Sequence, residues 1–243
     1  MRRSLSLLPA VLAALSLSAG AAHAQTVDDI VAKNLKAKGG EKWKTISALK
    51  MTGKVTLQGM EMPMSIYAKR PNLSRQEITL QDKKLVQAFD GTTPWMINPM
   101  MGTDSAQELT GPQADMMKAD ADFDSALIDY KTKGHTIELV GKEKLDATDV
   151  YHLKVTKKSG QIQDYFLDAE SGIELKTSTS IDTGGTKQKI DTELSNYQQV
   201  EGIMVPHTIK QSLNGTPVLT MTIEKAEFNP TIDDTIFKMP KKQ

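Results

Sequence analysis

The sequence predicts a mainly β protein of the α+β type, in which the strands form one strongly curved antiparallel sheet or open barrel. Beyond residue 50, apolar side chains recur at every second position, which is the period of a half-buried strand. Turn sequences such as DAESG and LNGTP separate the later runs. The runs follow one another at meander spacing, and roughly eleven strands result.

A helix precedes the strands. In TVDDIVAKNLKAKGG, Thr26 is the predicted N-cap and Asp29 stands three residues later, as in a capping box. Lysines fill the last turn, and Gly39 and Gly40 end the helix. A shorter helical piece containing Trp43 follows, and both are expected to pack on the sheet.

The first two strands form a hairpin about the QG turn at 58–59. The return strand carries a row of apolar residues on one face: Met60, Met62, Met64, Ile66 and Ala68. Further strands are predicted at 73–80, 84–90, 94–97, 136–141, 149–156, 161–167, 173–181, 187–195, 203–213 and 217–227.

The meander is interrupted at 98–131. NPMMGTDSAQELTGPQ is predicted to be a loop, and PQADMMKADADFDSALIDYKTKG to be helical, in one or two pieces. Pro112 suits a first helical position. The buried face of this insertion would consist of Met116, Phe123, Leu127 and Tyr130.

Residues 1–24 have the pattern of a secretory signal peptide: Arg2 and Arg3, the apolar run LLPAVLAALSLSAGA, and AHA as a cleavage site. We expect its removal, which leaves a single domain at 25–243, exported to the periplasm. The chain has no cysteine, and this excludes a lipid-modified N-terminal cysteine, disulfides and thiol catalysis.

Charge and motifs narrow the functional classes. Removing Arg2 and Arg3 leaves 28 basic residues against 30 acidic ones, so the net charge is 28 − 30 = −2 and nothing favours nucleic acid as a partner. The sequence contains no nucleophile elbow, P-loop or glycine-rich dinucleotide turn, so we predict no enzyme activity and no cofactor. His135, His152 and His207 lack metal-ligand spacing, although His207 falls on the apolar side of its strand.

The methionines allow three interpretations. Thioethers are soft ligands for Cu(I), but no histidine or cysteine adjoins Met60, Met62 and Met64. Methionine also fills irregular gaps in an ordinary core, and its flexible chain suits an adaptable apolar pocket. Composition alone does not decide between core and pocket.

Two stretches resemble a known family. YAKRPNLSR contains the turn Arg70-Pro71-Asn72-Leu73, and FDGTTPWMINP contains Asp90-Gly91, Trp95 and Asn98-Pro99. In order and spacing these are similar to the signatures of the periplasmic outer-membrane lipoprotein carriers of the LolA/LolB type. FKMP at 237–240 is similar to the end of that family. Ser74 departs from the family pattern, which has an aromatic residue there.

The resemblance implies a half-open antiparallel β-barrel with lid helices over an apolar cavity that takes the acyl chains of lipoproteins or lipids. It implies membrane-bound donor and acceptor proteins as further partners, and a role for Arg70 in gating the lid. On this basis the predicted ligand-binding residues are Met60, Met62, Met64, Ile66, Trp95, Ile97, Met116, Phe123 and Leu127.

The leading hypothesis is a non-catalytic periplasmic carrier of acyl chains. A subunit that docks an envelope complex through its sheet edge or rim is the alternative. Methionine-based Cu(I) binding is the third.

Overall fold

The computed structural model describes residues 25–183 and 185–241, and the predicted signal peptide lies outside them. The described residues form a sheet of 13 antiparallel strands in the order β6-β5-β4-β3-β2-β1-β13-β12-β11-β10-β9-β8-β7. The strands are β1 Ala48–Leu57, β2 Met60–Lys69, β3 Leu73–Leu80, β4 Lys83–Phe89, β5 Pro94–Asn98, β6 Thr103–Glu108, β7 Thr136–Leu145, β8 Thr148–Thr156, β9 Ile162–Asp168, β10 Glu174–Thr183, β11 Thr186–Val200, β12 Ile203–Leu213 and β13 Thr216–Phe228.

This order explains why the barrel is open. Every strand pairs with the next strand in sequence except β6 and β7, which are the two free edges. In addition, β1 pairs with β13. The chain between those edges, residues 109–135, therefore runs from one rim of the sheet to the other. The later part of the insertion predicted at 98–131 forms this connection, and its first part contains β6.

The sheet has 13 strands where about eleven were predicted. The predicted strands are present, although β7 and β11 extend four to five residues further, and one strand was missed. β6 lies in the stretch that was predicted to be a loop, where it pairs with β5. Its sequence, TDSAQE, is polar and has no apolar alternation that would mark a strand, because the strand is short and lies at the edge of the sheet.

The first helix, α1 Val27–Lys38, begins and ends as predicted. The Thr26 hydroxyl accepts a hydrogen bond from the Asp29 backbone N–H, and the Asp29 carboxylate accepts one from the Thr26 N–H. Gly39 ends the helix with a φ of 135°. The short helix α2 Glu41–Lys44 follows, and 3-10 turns occur at Pro99–Met101 and Asp234–Phe237.

The insertion is only partly helical, which corrects the sequence prediction. The helix α3 spans Gly111–Asp120, and residues 121–134 are non-helical, with turns from 126 onwards. Asp122 accepts a hydrogen bond from the Asp124 N–H, and the Ser125 hydroxyl accepts one from the Leu127 N–H. Such short side chains compete with helical hydrogen bonds, and this ends the helix. We call residues 111–134 the lid.

The sheet has an inner face and an outer face, and the inner one carries the helices. Met51 packs with Trp43 of α2, and Ile30 of α1 packs with Leu127 of the lid and Tyr165 of β9. Residues directly opposite each other on paired strands share a face. The register therefore assigns these packing residues, together with Met64, to the inner face. Among the described residues, no helix is both long enough and apolar enough to cross a bilayer.

Candidate ligand site at the inner face and its lid

The methionines of β2 form the middle of the inner face. Met62 and Met64 are 8% and 3% exposed and pack with Val55 of β1 and Ile223 of β13. Partly buried neighbours complete this cluster, which we call the methionine cluster: Met51, Leu57, Ile66, Ile78, Leu80, Leu219 and Met221. Met60 stands at the hairpin end of β2 and is 53% exposed. The cluster is thus continuous, apolar and rich in thioethers.

Trp95 and Ile97 lie on the other side of the sheet, apart from the methionines. Met64 of β2 is opposite Ile78 of β3. Arg75 lies an odd number of residues from Ile78 on the same strand, so it is on the other face. Arg75 is opposite Ala88 of β4, and Ala88 is opposite Trp95 of β5. Because side chains alternate along a strand, Trp95 belongs to the outer face. The prediction that Trp95 and Ile97 line the same cavity as the methionines is corrected, because the register places both of them on the outer face.

The end of the chain covers this outer face. The Trp95 indole N–H donates to the Phe237 carbonyl at 2.7 Å, and the Arg75 guanidinium donates to the Ile236 carbonyl at 2.7 Å. Phe237 and Trp95 are fully buried. The FKMP ending therefore serves packing of the outer face.

The three predicted residues of the lid occupy different surroundings. Leu127 is fully buried against the inner face with Ile30 of α1. Phe123 lies 5.7 Å from the Trp43 ring, centroid to centroid. Met116 is partly buried on α3 and lines a cleft. All three are on the side of the sheet that carries the methionine cluster.

Arg70 joins the rim of the sheet to the lid. Its guanidinium binds both carboxylate oxygens of Asp124, with Nη2 2.8 Å from Oδ1 and Nη1 on Oδ2. Nε donates to the Ile46 carbonyl at 2.6 Å, and Nη2 also reaches the Trp43 carbonyl at 3.4 Å. A planar guanidinium suits such two-pronged binding. We call this ion pair the latch.

Aromatic rings and a second donor complete the latch. The Arg70 guanidinium carbon lies 4.5 Å from the centroid of the Phe123 ring, a cation–π distance. The Trp43 indole N–H donates to Oδ1 of Asp124 at 2.8 Å. In the backbone, the Phe123 N–H donates to the Pro71 carbonyl at 3.2 Å. The lid is thus held to the turn after β2 and to α2 at one place.

The latch is charged at neutral pH. Burial would raise the pKa of Asp124, but the hydrogen bonds from Arg70 and Trp43 and the positive charge of Arg70 outweigh it, so the pKa of Asp124 lies below its ordinary value. The side chains of Arg70 and Asp124 are 28% and 15% exposed. A partly desolvated ion pair of this kind is costly to break and still reachable by water.

A cleft of about 820 Å³ lies between the lid and the inner face of β9 and β10. Its walls mix charged, polar and apolar groups. They include Met116, Ala126, Gln163, Tyr165, Ile181 and Lys157. The ammonium of Lys157 donates to the Ala119 carbonyl at 3.3 Å and so ties α3 to the end of β8. The lid forms one wall of the cleft, and residues of β9 and β10 form the other.

In the described part of the chain, no group of three or more histidine or acidic residues is placed so that it could hold a metal ion. His152 binds Asp164 and Glu143 on the outer face. His135 accepts a hydrogen bond from the Lys158 N–H.

Solved structures share this fold. The chain is similar to a LolA superfamily protein from Nitrosomonas europaea, with 17% identity, a TM-score of 0.58 and coverage of 88% of this chain and 98% of that one. A putative outer membrane lipoprotein-sorting protein domain from Vibrio parahaemolyticus is 14% identical, with a TM-score of 0.58 and coverages of 87% and 97%. A DUF1329 family protein from Desulfovibrio piger is 13% identical, with a TM-score of 0.61 and coverages of 88% and 98%.

These similarities show that the chain has the LolA-like open-barrel fold, and the resemblance predicted from the sequence is confirmed at the level of fold. No protein-family model matches the sequence, and no curated protein matches it significantly.

Sequence reasoning found Arg70 but missed its partner. Asp124 stands in an aspartate-rich stretch, ADADFDS, where nothing in the pattern separates one carboxylate from the next. Met51 and Met221 were also not assigned to the site. Alternation on β1 and β13 was the signal that could have found them, once those strands were known to pair.

Proposed function

We propose that this protein is a non-catalytic periplasmic carrier that binds acyl chains of lipids or lipoproteins against the methionine cluster, beneath the lid. The observation that carries the proposal is the latch between Arg70 and Asp124, which fastens a mostly turn-built segment over an apolar inner face. Beyond the latch, the lid is held by buried Leu127 and by the hydrogen bonds of Tyr130 and Lys131 to Asp28 of α1. Opening the lid breaks the latch together with these contacts and leaves the sheet intact, as in the local unfolding of a peripheral segment. A carrier that must load and unload needs such a lid.

The methionine cluster is closed in this structure and would have to rearrange to admit an acyl chain. Met62 and Met64 are in close contact with their neighbours, so the state described is closed and filled by its own side chains. An acyl chain would enter only if the lid opened and the cluster rearranged. Unbranched thioether side chains change rotamer without strain and so can make room for chains of different shape.

One solved structure of the same fold is a putative outer membrane lipoprotein-sorting protein domain, and this similarity supports the proposed class of cargo. The predicted signal peptide supports a periplasmic location. Donor and acceptor proteins in the two membranes would complete the cycle.

The test is native mass spectrometry of the protein purified from its own periplasm, followed by solvent extraction and identification of lipids. A carrier carries acyl-chain species that the extraction releases, and Arg70→Lys purifies with less of them because its lid opens more often. The proposal is contradicted if the purified protein has no bound lipid and also fails to take up lipid from vesicles of inner-membrane lipid composition.

The docking alternative would use a free sheet edge. β7 is ten residues long and presents Val140, which is 52% exposed. Its neighbours Lys142, Glu143 and Lys144 are charged, and charged edges are a means by which proteins prevent strand addition. We therefore favour the carrier. A stable protein partner together with lipid-free protein would reverse this preference.

A further inference from the structure

His207 is a buried polar group on the inner face that no part of the fold fully uses. It follows Ile203 and Val205 at alternate positions of β12, and both of these are buried on the inner face with Trp43. The side chain is 7% exposed. Its neighbour across the strands is Ile223, a member of the methionine cluster.

Only one of the two ring nitrogens has a partner. Nδ1 lies 2.7 Å from the Ile223 carbonyl oxygen, and since a carbonyl only accepts, Nδ1 carries the hydrogen and donates it. Nε2 is buried and has no hydrogen-bond partner among the described residues. Buried nitrogen atoms without a partner are uncommon in proteins and costly, so each one calls for an explanation.

The position of Nε2 suggests the explanation. His207 stands between the cluster beneath α2 and the methionine cluster, and Met51 packs against both of them. The proposed acyl ligand would lie along these same side chains. Its polar end would then meet a single buried nitrogen in otherwise apolar surroundings.

From this arrangement we propose that the ligand is a long-chain fatty acid, and that its carboxyl group hydrogen-bonds to Nε2 of His207. The inference rests on the proposed function and names its ligand. A carboxyl group fits either form of the ring: as the acid it donates to a neutral imidazole, and as the carboxylate it accepts from an imidazolium. An ester brings only acceptors and leaves the neutral ring unpaired. A phosphate headgroup would bury more charge than one ring can balance.

The experiment measures displacement of the neutral dye N-phenyl-1-naphthylamine from the purified protein by dodecanoic acid and by methyl dodecanoate. The two probes share a chain and differ in the hydrogen-bonding end. The variants are His207→Leu and, as the matched control, His152→Leu on the outer face. Circular dichroism and the thermal midpoint establish that each variant is folded.

We expect the native protein to bind the acid at least tenfold more tightly than the ester, since a site with an unpaired buried group discriminates strongly. The preference should fall to about unity in His207→Leu and persist in His152→Leu. Equal binding of acid and ester by the native protein, or a preference that survives His207→Leu, overturns the inference and leaves acyl-chain binding intact. Failure of dye, acid and ester alike to bind overturns the proposed function as well. If His207→Leu does not fold, His207→Phe replaces it in the same comparison.

Discussion

The Arg70 guanidinium and the Asp124 carboxylate form a two-pronged ion pair between the turn after β2 and the lid. The sequence separation of the two residues is 54, and the pair links the first half of the sheet to the lid.

Replacing Arg70 by lysine should loosen the lid. Lysine keeps the positive charge but lacks the planar guanidinium with its several donors. Asp124 therefore loses one of its hydrogen bonds, and the Ile46 carbonyl loses its donor. We expect a loss of about 1–3 kcal/mol in the free energy of unfolding, because partly buried groups are left unpaired. Urea unfolding measures this loss, and hydrogen exchange should quicken in residues 121–134 in particular.

Lys83→Ala is the control for that experiment. Lys83 pairs with Asp104, and both side chains are mostly exposed, so its removal should change stability by less than about 1 kcal/mol. An Arg70→Lys variant as stable as this control, with unchanged exchange in the lid, would show that the latch does not hold the lid.

The latch should fail in acid but not at mildly acidic pH. Because the pKa of folded Asp124 lies below that of the unfolded chain, the pair contributes fully above about pH 4, the ordinary pKa of an aspartate. Its contribution is lost as the pH falls through the lowered pKa. The fluorescence of Trp43, whose indole binds Asp124, should report the opening.

Asp124→Asn should remove that acid transition from the Trp43 signal, and Trp43→Phe should remove the signal itself while Trp95 continues to emit. A lid that opens between pH 5 and 7 in the native protein would contradict the assignment, since Asp124 is ionised throughout that range.

The two faces of the sheet should respond differently to substitution. Phe237→Ala opens a cavity under the chain end on the outer face and should cost about 3–5 kcal/mol. The affinity for N-phenyl-1-naphthylamine should not change, because the proposed ligand site lies on the inner face. Met64→Ala is the matched inner-face variant and should alter both stability and dye affinity. An equal loss of dye binding in the two variants would argue that the ligand site is not confined to the inner face.

A Met62→Leu/Met64→Leu variant tests the role of the thioethers. The exchange nearly conserves volume, so we expect a change in stability below about 1.5 kcal/mol. Branched side chains adapt less, so the variant should bind a narrower range of chain lengths. Titration with Cu(I) under reducing conditions tests the rival interpretation, in which the methionines bind copper. In that case the native protein would bind Cu(I) tightly and the variant would not.

The strands were predictable because alternation along a strand depends only on that strand. Met62 and Met64 could be assigned to one face, and His207 could be identified as a polar residue on an apolar side. The shared fold was predictable from two short motifs.

What the sequence did not contain was the relation between strands. Whether Trp95 shares a face with Met64 depends on the register across β2, β3, β4 and β5, and a shift of one residue would reverse the answer. The pairing of β1 with β13, which brings Met221 beside the methionines, is a contact between the two ends of the chain. The lid was predicted to be helical through Phe123 and Leu127 because its apolar spacing suited a helix, but Asp122 and Ser125 favour turns.

The most direct test of the account maps where an acyl chain lies. A fatty acid that carries a diazirine near its methyl end is bound to the protein and irradiated, and the labelled peptides are identified by mass spectrometry. The account predicts labels on inner-face residues such as Met62, Met64, Met221 or Ile223, and none around Trp95 and Phe237. Labels confined to the outer face, or no label above that of a protein without a lipid site, would contradict it.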